Sequence, residues 1–473
     1  MDFTSKQFLL FILTFISGYY LCPAKIWKSW GISAFSLIFI FLIFPPAQSI
    51  YFFLFLILNY TAIKTMIKHP SGKLLFILIF SLVFLFGYLK KYSFLSFLPF
   101  INSPYQVLGL SYILFRCLHL LVDAKEGLLA GQKFSILDFF AYTCCPLSFI
   151  SGPIQLYPEF KDQLSRPKKE IFFNLKIFDH VNRLMTGYLK IIALGPIFFY
   201  FHQTQLSAFL AHKSMVITFT ETSFCYLFFL YFNFSGYMDI IISLGHLTGF
   251  AFPENLNHPF QSKGMLEFWN RWHITLSNWI KLYIFNPLMK GMMSKSSDPK
   301  LTPWYGIAAF FITFFAAGVW HGSTTAAMVY GILLGAGVSA NKFYEVVLRA
   351  RMNKSQFSAW HDHKAYASFM SGLTFSYMSI CISCLFANFQ QLRNFYETLS
   401  WTGILEVLLF GTIVWGSIKF IYQILFDHSL FWREKLAAFP FNKHISLALK
   451  LLFLGLILSM SAYEKPQFVY QLF

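Results

Sequence analysis

Residues 230–288 read LYFNFSGYMDIIISLGHLTGFAFPENLNHPFQSKGMLEFWNRWHITLSNWIKLYIFNPL. The stretch begins as an apolar helix long enough for a membrane, yet it carries an acid, Asp239, and continues through a polar segment of proline and asparagine. It ends in a tryptophan-rich segment, predicted to be one helix, with Arg271 and His273 at its centre. Apolar composition does not explain these polar residues, so we expect residues that take part in a reaction within this stretch.

The composition of the whole chain predicts a membrane protein. Of its 473 residues, 57% are hydrophobic and only 12% are charged, far from the usual make-up of soluble domains. We predict one all-α, polytopic bundle over residues 1–473, with eleven or twelve crossings and some re-entrant or interfacial helices. The candidate spans are residues 7–22, 31–48, 50–63, 74–89, 107–122, 137–156, 186–203, 214–233, 234–250, 304–320, 323–340, 366–387, 404–426 and 445–462.

The net charge of +17 indicates topology and contact with anionic lipid rather than nucleic-acid binding, because the basic residues are scattered in short loops. Loops 161–183 and 342–364 are the most basic, and segment 251–302 is basic as well, so all three are predicted to be cytoplasmic. Between Lys300 and Lys342 no side chain is charged. The chain must therefore leave the cytoplasmic face and return to it in two minimal membrane crossings, with the turn at residues 320–325.

Asp239 needs a partner or a water-filled cavity, because an unpaired carboxylate in hydrocarbon costs several kcal/mol. It is either a tunnel or proton-path residue or a structural acid bonded to neighbouring helices, and we favour the structural role. Further along, Glu267 and Arg271 have the spacing of a helical ion pair. Four apolar residues are spaced three, four and three apart, which predicts one helical face: Trp269, Trp272, Leu276 and Trp279.

Two histidines are candidates for proton transfer. His273 interrupts the tryptophan-rich segment, and His321 is the ionisable residue of the uncharged run. An imidazole has a pKa near working pH, so it could accept the proton of a hydroxyl that attacks an acyl carbon. The alternatives are an interfacial aromatic helix for His273 and a hydrogen-bonded turn histidine for His321. The seven cysteines lack the spacing of a zinc site, and no metal is expected.

These residues together resemble the membrane-bound O-acyltransferase family, in particular its bacterial branch of alginate O-acetylases, peptidoglycan O-acetyltransferases and D-alanyl transfer proteins. The resemblance is concentrated in residues 108–388. It is carried by GLSYILFRCLHLLVD (109–123), LDFFAYTCCPLSFISGPIQLYPEF (137–160), FNFSGYMDIIISLGHLTGFAFPENLNHPF (232–260), EFWNRWHITLSNWIKLYIFNPL (267–288) and AAGVWHGSTTAAMVYGILLG (316–335). Two family patterns are altered, at residues 281–290 and 385–388.

The resemblance implies helices around a central tunnel, with His321 as the catalytic residue and His273 as its companion. Other motif positions would line or support the tunnel: Asp239, Asn255, Asn257, Trp269, Arg271, Trp272 and Trp320. It further implies an acyltransferase of the bacterial cytoplasmic membrane without a tightly bound cofactor. Acetyl-CoA, or an acyl carrier protein thioester, would enter from the cytoplasm past His273.

The implied acceptor is a hydroxyl of a cell-surface polysaccharide or peptidoglycan, reached directly or through an extracytoplasmic partner. D-alanyl transfer to a teichoic-acid-type polymer is the alternative within the family. A transporter or flippase that uses Asp239, His246 and His321 as a polar path is an alternative of another class.

Overall fold

The computed structural model describes residues 6–23, 26–99, 109–131, 134–165, 176–437 and 442–460. Within these ranges the regular elements are helices, and β-pairing is limited to one bridge between Leu256 and Trp272. The predicted all-α class is confirmed. Three expected features lie partly outside the described residues: the start of the span 107–122, the basic residues 166–169 and the end of the span 445–462.

The described part of the chain contains nineteen α-helices. In chain order they are α1 (Lys6–Leu21), α2 (Ile32–Ile43), α3 (Pro46–Lys68), α4 (Gly72–Leu89), α5 (Leu110–Lys125), α6 (Ile136–Thr143), α7 (Tyr157–Ser165), α8 (Lys176–Leu189), α9 (Gly195–Leu210), α10 (Met215–Leu247), α11 (Met265–Arg271), α12 (Ile274–Ile280), α13 (Asn286–Lys295), α14 (Thr302–Trp320), α15 (Thr325–Arg351), α16 (Lys354–Asp362), α17 (Lys364–Phe386), α18 (Phe389–Ala437) and α19 (Asn442–Met460).

The chain divides into two compact units. The first contains Met1–Leu184, Met238–Pro253 and Gln467–Phe473, and the second contains Met185–Tyr237 and Glu254–Pro466. Helices α8 and α10 contribute residues to both units. Helices α11 to α18 lie in the second unit, and so do all candidate site residues except Asp239. One integrated membrane domain over residues 1–473 stays a prediction.

The chain is a multi-pass membrane protein. Among the described residues, 8 helices are long and apolar enough to cross a membrane, and three shorter apolar helices lie at Gln7–Leu21, Ile32–Ile43 and His444–Gly455. Eleven or twelve crossings would require the shorter helices to cross as well, so that number stays a prediction.

Pro45 separates α2 from α3, because it is extended and Pro46 then occupies the first helical turn, where a proline is tolerated.

Three expected spans have a different structure. The predicted spans 214–233 and 234–250 form one helix, α10, of 33 residues. The predicted span 137–156 is not a crossing helix, since α6 ends at Thr143. Arg116 is the physical reason, because its buried guanidinium donates to the carbonyl oxygens of Tyr142 (2.7 Å), Thr143 (2.8 Å) and Ser148 (2.7 Å). These carbonyls are therefore engaged outside a continuous helix.

The uncharged run forms the predicted hairpin. Helix α14 ends at Trp320 and α15 begins at Thr325, so the turn lies where the charge pattern predicts it. The two helices pack closely through glycines, because a Cβ atom added to Gly318 would lie 2.2 Å from the Cα atom of Gly331. This contact fixes the end of α14, to which His321 is attached.

Candidate active site

His273 lies at a break between two short helices. Helix α11 ends at Arg271, Trp272 is extended, and His273 has the left-handed conformation, with φ 49° and ψ 50°. Its side chain is fully buried, and its ring packs against Phe234 at a centroid distance of 4.9 Å. A left-handed non-glycine residue costs about 1 to 3 kcal/mol and persists where its surroundings impose it.

The break is imposed by residues 255–257, which precede α11 in the chain. Asn257 donates from its backbone amide to the carbonyl of Arg271 (2.8 Å), and Ile274 donates to the carbonyl of Asn255 (2.9 Å). The side-chain oxygen of Asn255 also accepts from the amide and the hydroxyl of Thr275, both at 2.9 Å. Asn255 therefore caps α12 from outside, since His273 gives no side-chain cap.

The prediction of one helix and one tryptophan face is wrong. Trp269, Trp272 and Trp279 are all buried, but they belong to two helices and the extended residue between them. Trp272 stacks on Phe268 at 5.6 Å, and Trp269 packs on Phe314 of α14 at 5.0 Å. The bridge between Leu256 and Trp272 overrides the helical periodicity.

Arg271 has a supporting position at the edge of the break. Its guanidinium pairs with Glu267 four residues earlier, at 2.9 Å, which confirms the predicted ion pair. It also donates to the backbone carbonyl of Asn257 at 3.3 Å. The side chain of Asn257 is exposed, so this residue contributes through its backbone.

His321 directly follows the spanning helix α14. Its amide donates to the carbonyl of Gly318 at 3.1 Å, and its side chain is 6% exposed. The ring meets two aromatic rings edge-on, Trp320 at 4.8 Å and Tyr330 of α15 at 5.7 Å. Trp320, a predicted tunnel residue, is thus a direct neighbour of the imidazole, and α15 closes the other side.

His321 lies close enough to His273 to affect its pKa. Burial lowers the pKa of His273 well below its ordinary value, and the proximity of His321 lowers it further. Burial alone lowers the pKa of His321 to about 4. Neither residue lies within a candidate spanning helix. Both imidazoles are therefore neutral at neutral pH, and each keeps one ring nitrogen able to accept a proton.

The comparison with protein families decides the class of this site. The family model described as MBOAT, membrane-bound O-acyltransferase family, matches residues 31–388.

The chain belongs to the membrane-bound O-acyltransferase family.

Several relatives of this membrane-bound O-acyltransferase have names that state an activity. The teichoic acid D-alanyltransferase of Streptococcus thermophilus is 28% identical over 295 residues, 57% of this chain and 70% of the relative. The protein of the same name from Bacillus subtilis is 29% identical over 258 residues, 52% of this chain and 64% of the relative. The probable alginate O-acetylase AlgI of Pseudomonas fluorescens is 28% identical over 251 residues, 52% of this chain and 46% of the relative.

These matches agree with the predicted branch, and the chain is an acyltransferase. The aligned part spans about two thirds of the D-alanyltransferases and less than half of the alginate O-acetylase. Donor, acceptor and partners are therefore treated as proposals. Within the described ranges of this acyltransferase, no three His, Cys, Asp or Glu side chains are grouped as metal ligands. The expectation of a metal-free reaction stays a prediction.

A cavity of about 390 Å³ lies beside α11, α12 and α14 of the acyltransferase. Trp269 and Thr313 line it, and the indole nitrogen and the hydroxyl of these two residues are buried without a hydrogen-bond partner among the described residues. Lys281 and Glu267 add charged groups to the lining. Thr313 precedes His321 by eight residues of α14, which corresponds to about 12 Å along the helix. The cavity thus offers polar contacts about two turns of α14 before His321.

Asp239 has the partner that its position requires. Arg183 donates from Nε to its carboxylate at 2.8 Å, and both residues belong to the first unit. His246, which the transporter hypothesis used, stacks on His180 at 4.4 Å in the same unit. This arrangement agrees with the structural role favoured for Asp239.

The sequence missed two residues that shape the site of this acyltransferase. Phe234 packs on His273, and Tyr330 packs on His321. Each is one aromatic residue among many in an apolar helix, so the composition does not distinguish it as a site residue. For Tyr330 the predicted hairpin was a usable signal, because α15 must return past the end of α14.

Proposed function

We propose that this chain moves an acetyl group from cytoplasmic acetyl-CoA to a hydroxyl of a cell-surface polysaccharide or peptidoglycan. The transfer is direct or passes through an extracytoplasmic partner, and the enzyme works in the bacterial cytoplasmic membrane. The supporting observation is the pair of buried histidines at two helix ends, His273 and His321, of which His321 lies close enough to lower the pKa of His273. Titratable groups with strongly shifted pKa values cluster at functional sites.

In this proposal His321 is the general base. Its unprotonated ring nitrogen takes the proton of the attacking hydroxyl while that oxygen bonds to the thioester carbonyl carbon. The resulting oxyanion and imidazolium have opposite charges, so each offsets the cost of the other in the buried site. The tetrahedral intermediate then collapses, the carbon–sulfur bond breaks, and the thiolate takes the proton from His321. The products are the O-acyl ester and a free thiol.

His273 is proposed to act on the donor side. A neutral imidazole has one N–H group, which can donate a hydrogen bond to the thioester carbonyl as it becomes an oxyanion. The helix break that Asn255 maintains fixes the backbone from which this ring projects. A fixed donor needs no reorganisation during the reaction.

The cavity of about 390 Å³ is proposed to receive the arm of the thioester donor. The indole N–H of Trp269 and the hydroxyl of Thr313 are suited to the amide groups of such an arm, because both are buried without another partner among the described residues. Apolar side chains such as Ile280 and Phe314 would enclose its methylene groups.

D-alanyl transfer from an acyl carrier protein is the second candidate. It is favoured by the names of the streptococcal and Bacillus relatives, which are covered over more of their length than the alginate O-acetylase. The transporter hypothesis is set aside, because the chain is a member of an acyltransferase family.

The two donors can be separated with purified protein in liposomes. We expect release of free thiol from acetyl-CoA, with the acetyl group appearing on an added polysaccharide or on a co-reconstituted partner. Consumption of a D-alanyl-loaded carrier protein, with acetyl-CoA left intact, would replace the first candidate by the second. Consumption of neither thioester in the presence of acceptor would contradict both.

A further inference from the structure

A second concave surface of the second unit is not used by the proposed reaction. It is a groove of about 610 Å³ between α15, α16 and α17, and its floor is Gly264 and Met265 at the start of α11. Its walls are almost entirely apolar or aromatic and include Ala340, Trp360 and Phe369. Trp360 and Phe369 are 48% and 53% exposed, so the groove is open to its surroundings.

The length of α15 indicates that the groove lies near one edge of the hydrocarbon core. A helix of 27 residues is about 40 Å long, whereas the hydrocarbon core is about 30 Å thick. The groove uses residues Gly337 to Tyr344, which lie about 18 to 29 Å from the start of α15. Two tyrosine hydroxyls, of Tyr344 and Tyr366, are 3.1 Å apart at this surface, as expected where an apolar wall meets water.

The segment that continues from the groove residues of α15 is positively charged. Segment 342–364 contains five Lys and Arg residues and two carboxylates. Both carboxylates are engaged, Glu345 with Lys342 at 3.9 Å and Asp362 with Lys263 at 3.0 Å. Arg351 ends α15 and Lys354 begins α16, and both are exposed. The charge pattern predicts that this end faces the cytoplasm, where the leaflet is anionic.

We propose that this groove binds an anionic phospholipid, with an acyl chain along the apolar wall and the phosphate beside Arg351 and Lys354. A partner helix fits less well. A helix with its side chains is about 10 to 12 Å wide, so this volume holds little more than one turn. A flexible acyl chain needs no such width, and the basic segment that adjoins the groove is complementary to the headgroup of an anionic lipid.

The bound lipid would touch the element that leads to His273. Gly264 and Met265 form the floor, and Asn341 beside the groove accepts the amide of Leu266 through its side-chain oxygen at 3.0 Å. Helix α11 then continues to Trp269 and Arg271. Lipid in the groove therefore packs against the start of the short helix that positions the donor side. The binding itself does not depend on the proposed function.

Photo-crosslinking with the full-length protein tests the site. The protein is reconstituted in phosphatidylcholine vesicles that contain a small fraction of phosphatidylglycerol with a photoactivatable acyl chain, or of the matching phosphatidylcholine probe. We expect the phosphatidylglycerol probe to label peptides of α15 to α17 in preference to the neutral probe. Ala340→Trp should abolish this label by filling the groove. Arg351→Glu with Lys354→Glu should reduce it by at least about fivefold for each charge.

Ile312→Trp is the matched control, because Ile312 is an exposed residue of α14 outside the groove, and it should leave the label unchanged. Equal labelling of the groove by both probes would overturn the proposal. So would full labelling of a correctly folded Ala340→Trp protein, or cross-links in the groove to a second copy instead of lipid. Ala340→Trp is excluded if the protein elutes as an aggregate in gel filtration. The double variant Arg351→Glu with Lys354→Glu, whose changes are on exposed residues, is then the test, and an unchanged preference for phosphatidylglycerol in this variant overturns the proposal.

Discussion

The side-chain oxygen of Asn255 accepts two hydrogen bonds from Thr275, one from the amide and one from the hydroxyl, both at 2.9 Å. The carbonyl of the same asparagine accepts from Ile274. His273 therefore lies directly before a helix end that another segment of the chain has capped. Asn255 is a positioning residue in this arrangement, because it holds the backbone on which the imidazole is mounted.

Asn255→Ala should lower acyl transfer by at least about tenfold, because the ring of His273 loses its fixed orientation. It should also lower the free energy of unfolding by about 1 to 3 kcal/mol, since buried donors of α12 lose their acceptor. Asn255→Asp keeps an acceptor oxygen and should restore part of the rate. Rates in liposomes and thermal unfolding in detergent measure the two effects.

The control for this prediction is Asn257→Ala. Asn257 is two residues away in the same segment, but its side chain is exposed and its described hydrogen bonds use the backbone. Its removal should change neither rate nor stability appreciably. Equal losses in the two alanine variants would show that Asn255 has no special role.

Gly318→Ala should destabilise the hairpin that positions His321. The new methyl group would lie 2.2 Å from Gly331 Cα, so α14 and α15 would have to separate. Gly306 is the control in the same helix, because a Cβ atom there meets nothing within 4 Å. Gly306→Ala should keep or raise the melting temperature, since alanine favours a helix by about 1 kcal/mol over glycine. The same melting temperature in both variants would contradict close helix packing.

Acid should destabilise the folded enzyme partly through His321. Its pKa is lowered by burial to about 4, whereas an unfolded histidine titrates near about 6.5. Between these values the unfolded chain binds a proton that the folded chain does not, so stability is complete above about pH 6.5 and falls towards pH 4. At pH 5 the loss is on the order of 2 kcal/mol.

His321→Gln should therefore lose less melting temperature than the wild type when the pH is lowered from about 7.5 to about 5. His69→Gln replaces an exposed histidine and should behave as the wild type. An acid-induced loss in His321→Gln as large as that of the wild type would contradict a buried, neutral imidazole.

Cysteine labelling tests the predicted sidedness. Ser323→Cys in the turn after His321 should react with an impermeant thiol reagent from outside the cell, because the uncharged hairpin leaves the cytoplasmic face and returns. Lys263→Cys should react from the cytoplasmic side, in line with the basic loops. Both variants are made in a background without the native cysteines. Labelling of both from one side would contradict a donor and an acceptor that enter from opposite faces.

The hairpin and the break at His273 show what the sequence could and could not predict. The hairpin was predictable, because a run without charges that starts and ends in basic loops has to cross twice. The break was not, because the spacing of Trp269, Trp272, Leu276 and Trp279 fits one helix. The hydrogen bonds of Asn255 to Ile274 and Thr275 decide against that helix, and they join residues about twenty positions apart.

The partners of buried charges were also beyond sequence reasoning. The apolar sequence around Asp239 predicts that its carboxylate needs a partner. It does not predict which one, because Arg183 is 56 residues away along the chain. Similarly, Arg116 looked like a residue of an apolar helix, whereas its guanidinium ends the next helix by binding carbonyl oxygens 26 to 32 residues later. Periodicity describes neighbours on one helix and carries no information about such tertiary contacts.

The most direct test of the proposed reaction is thioester consumption by His321→Ala in liposomes, at the protein level of the wild type. Removal of a general base should reduce acyl transfer by roughly 100- to 10,000-fold. His273→Asn is measured beside it, because asparagine tolerates the left-handed backbone while the imidazole is lost, and it should also be impaired. Transfer by His321→Ala at the wild-type rate would contradict the assignment of His321 as the catalytic base.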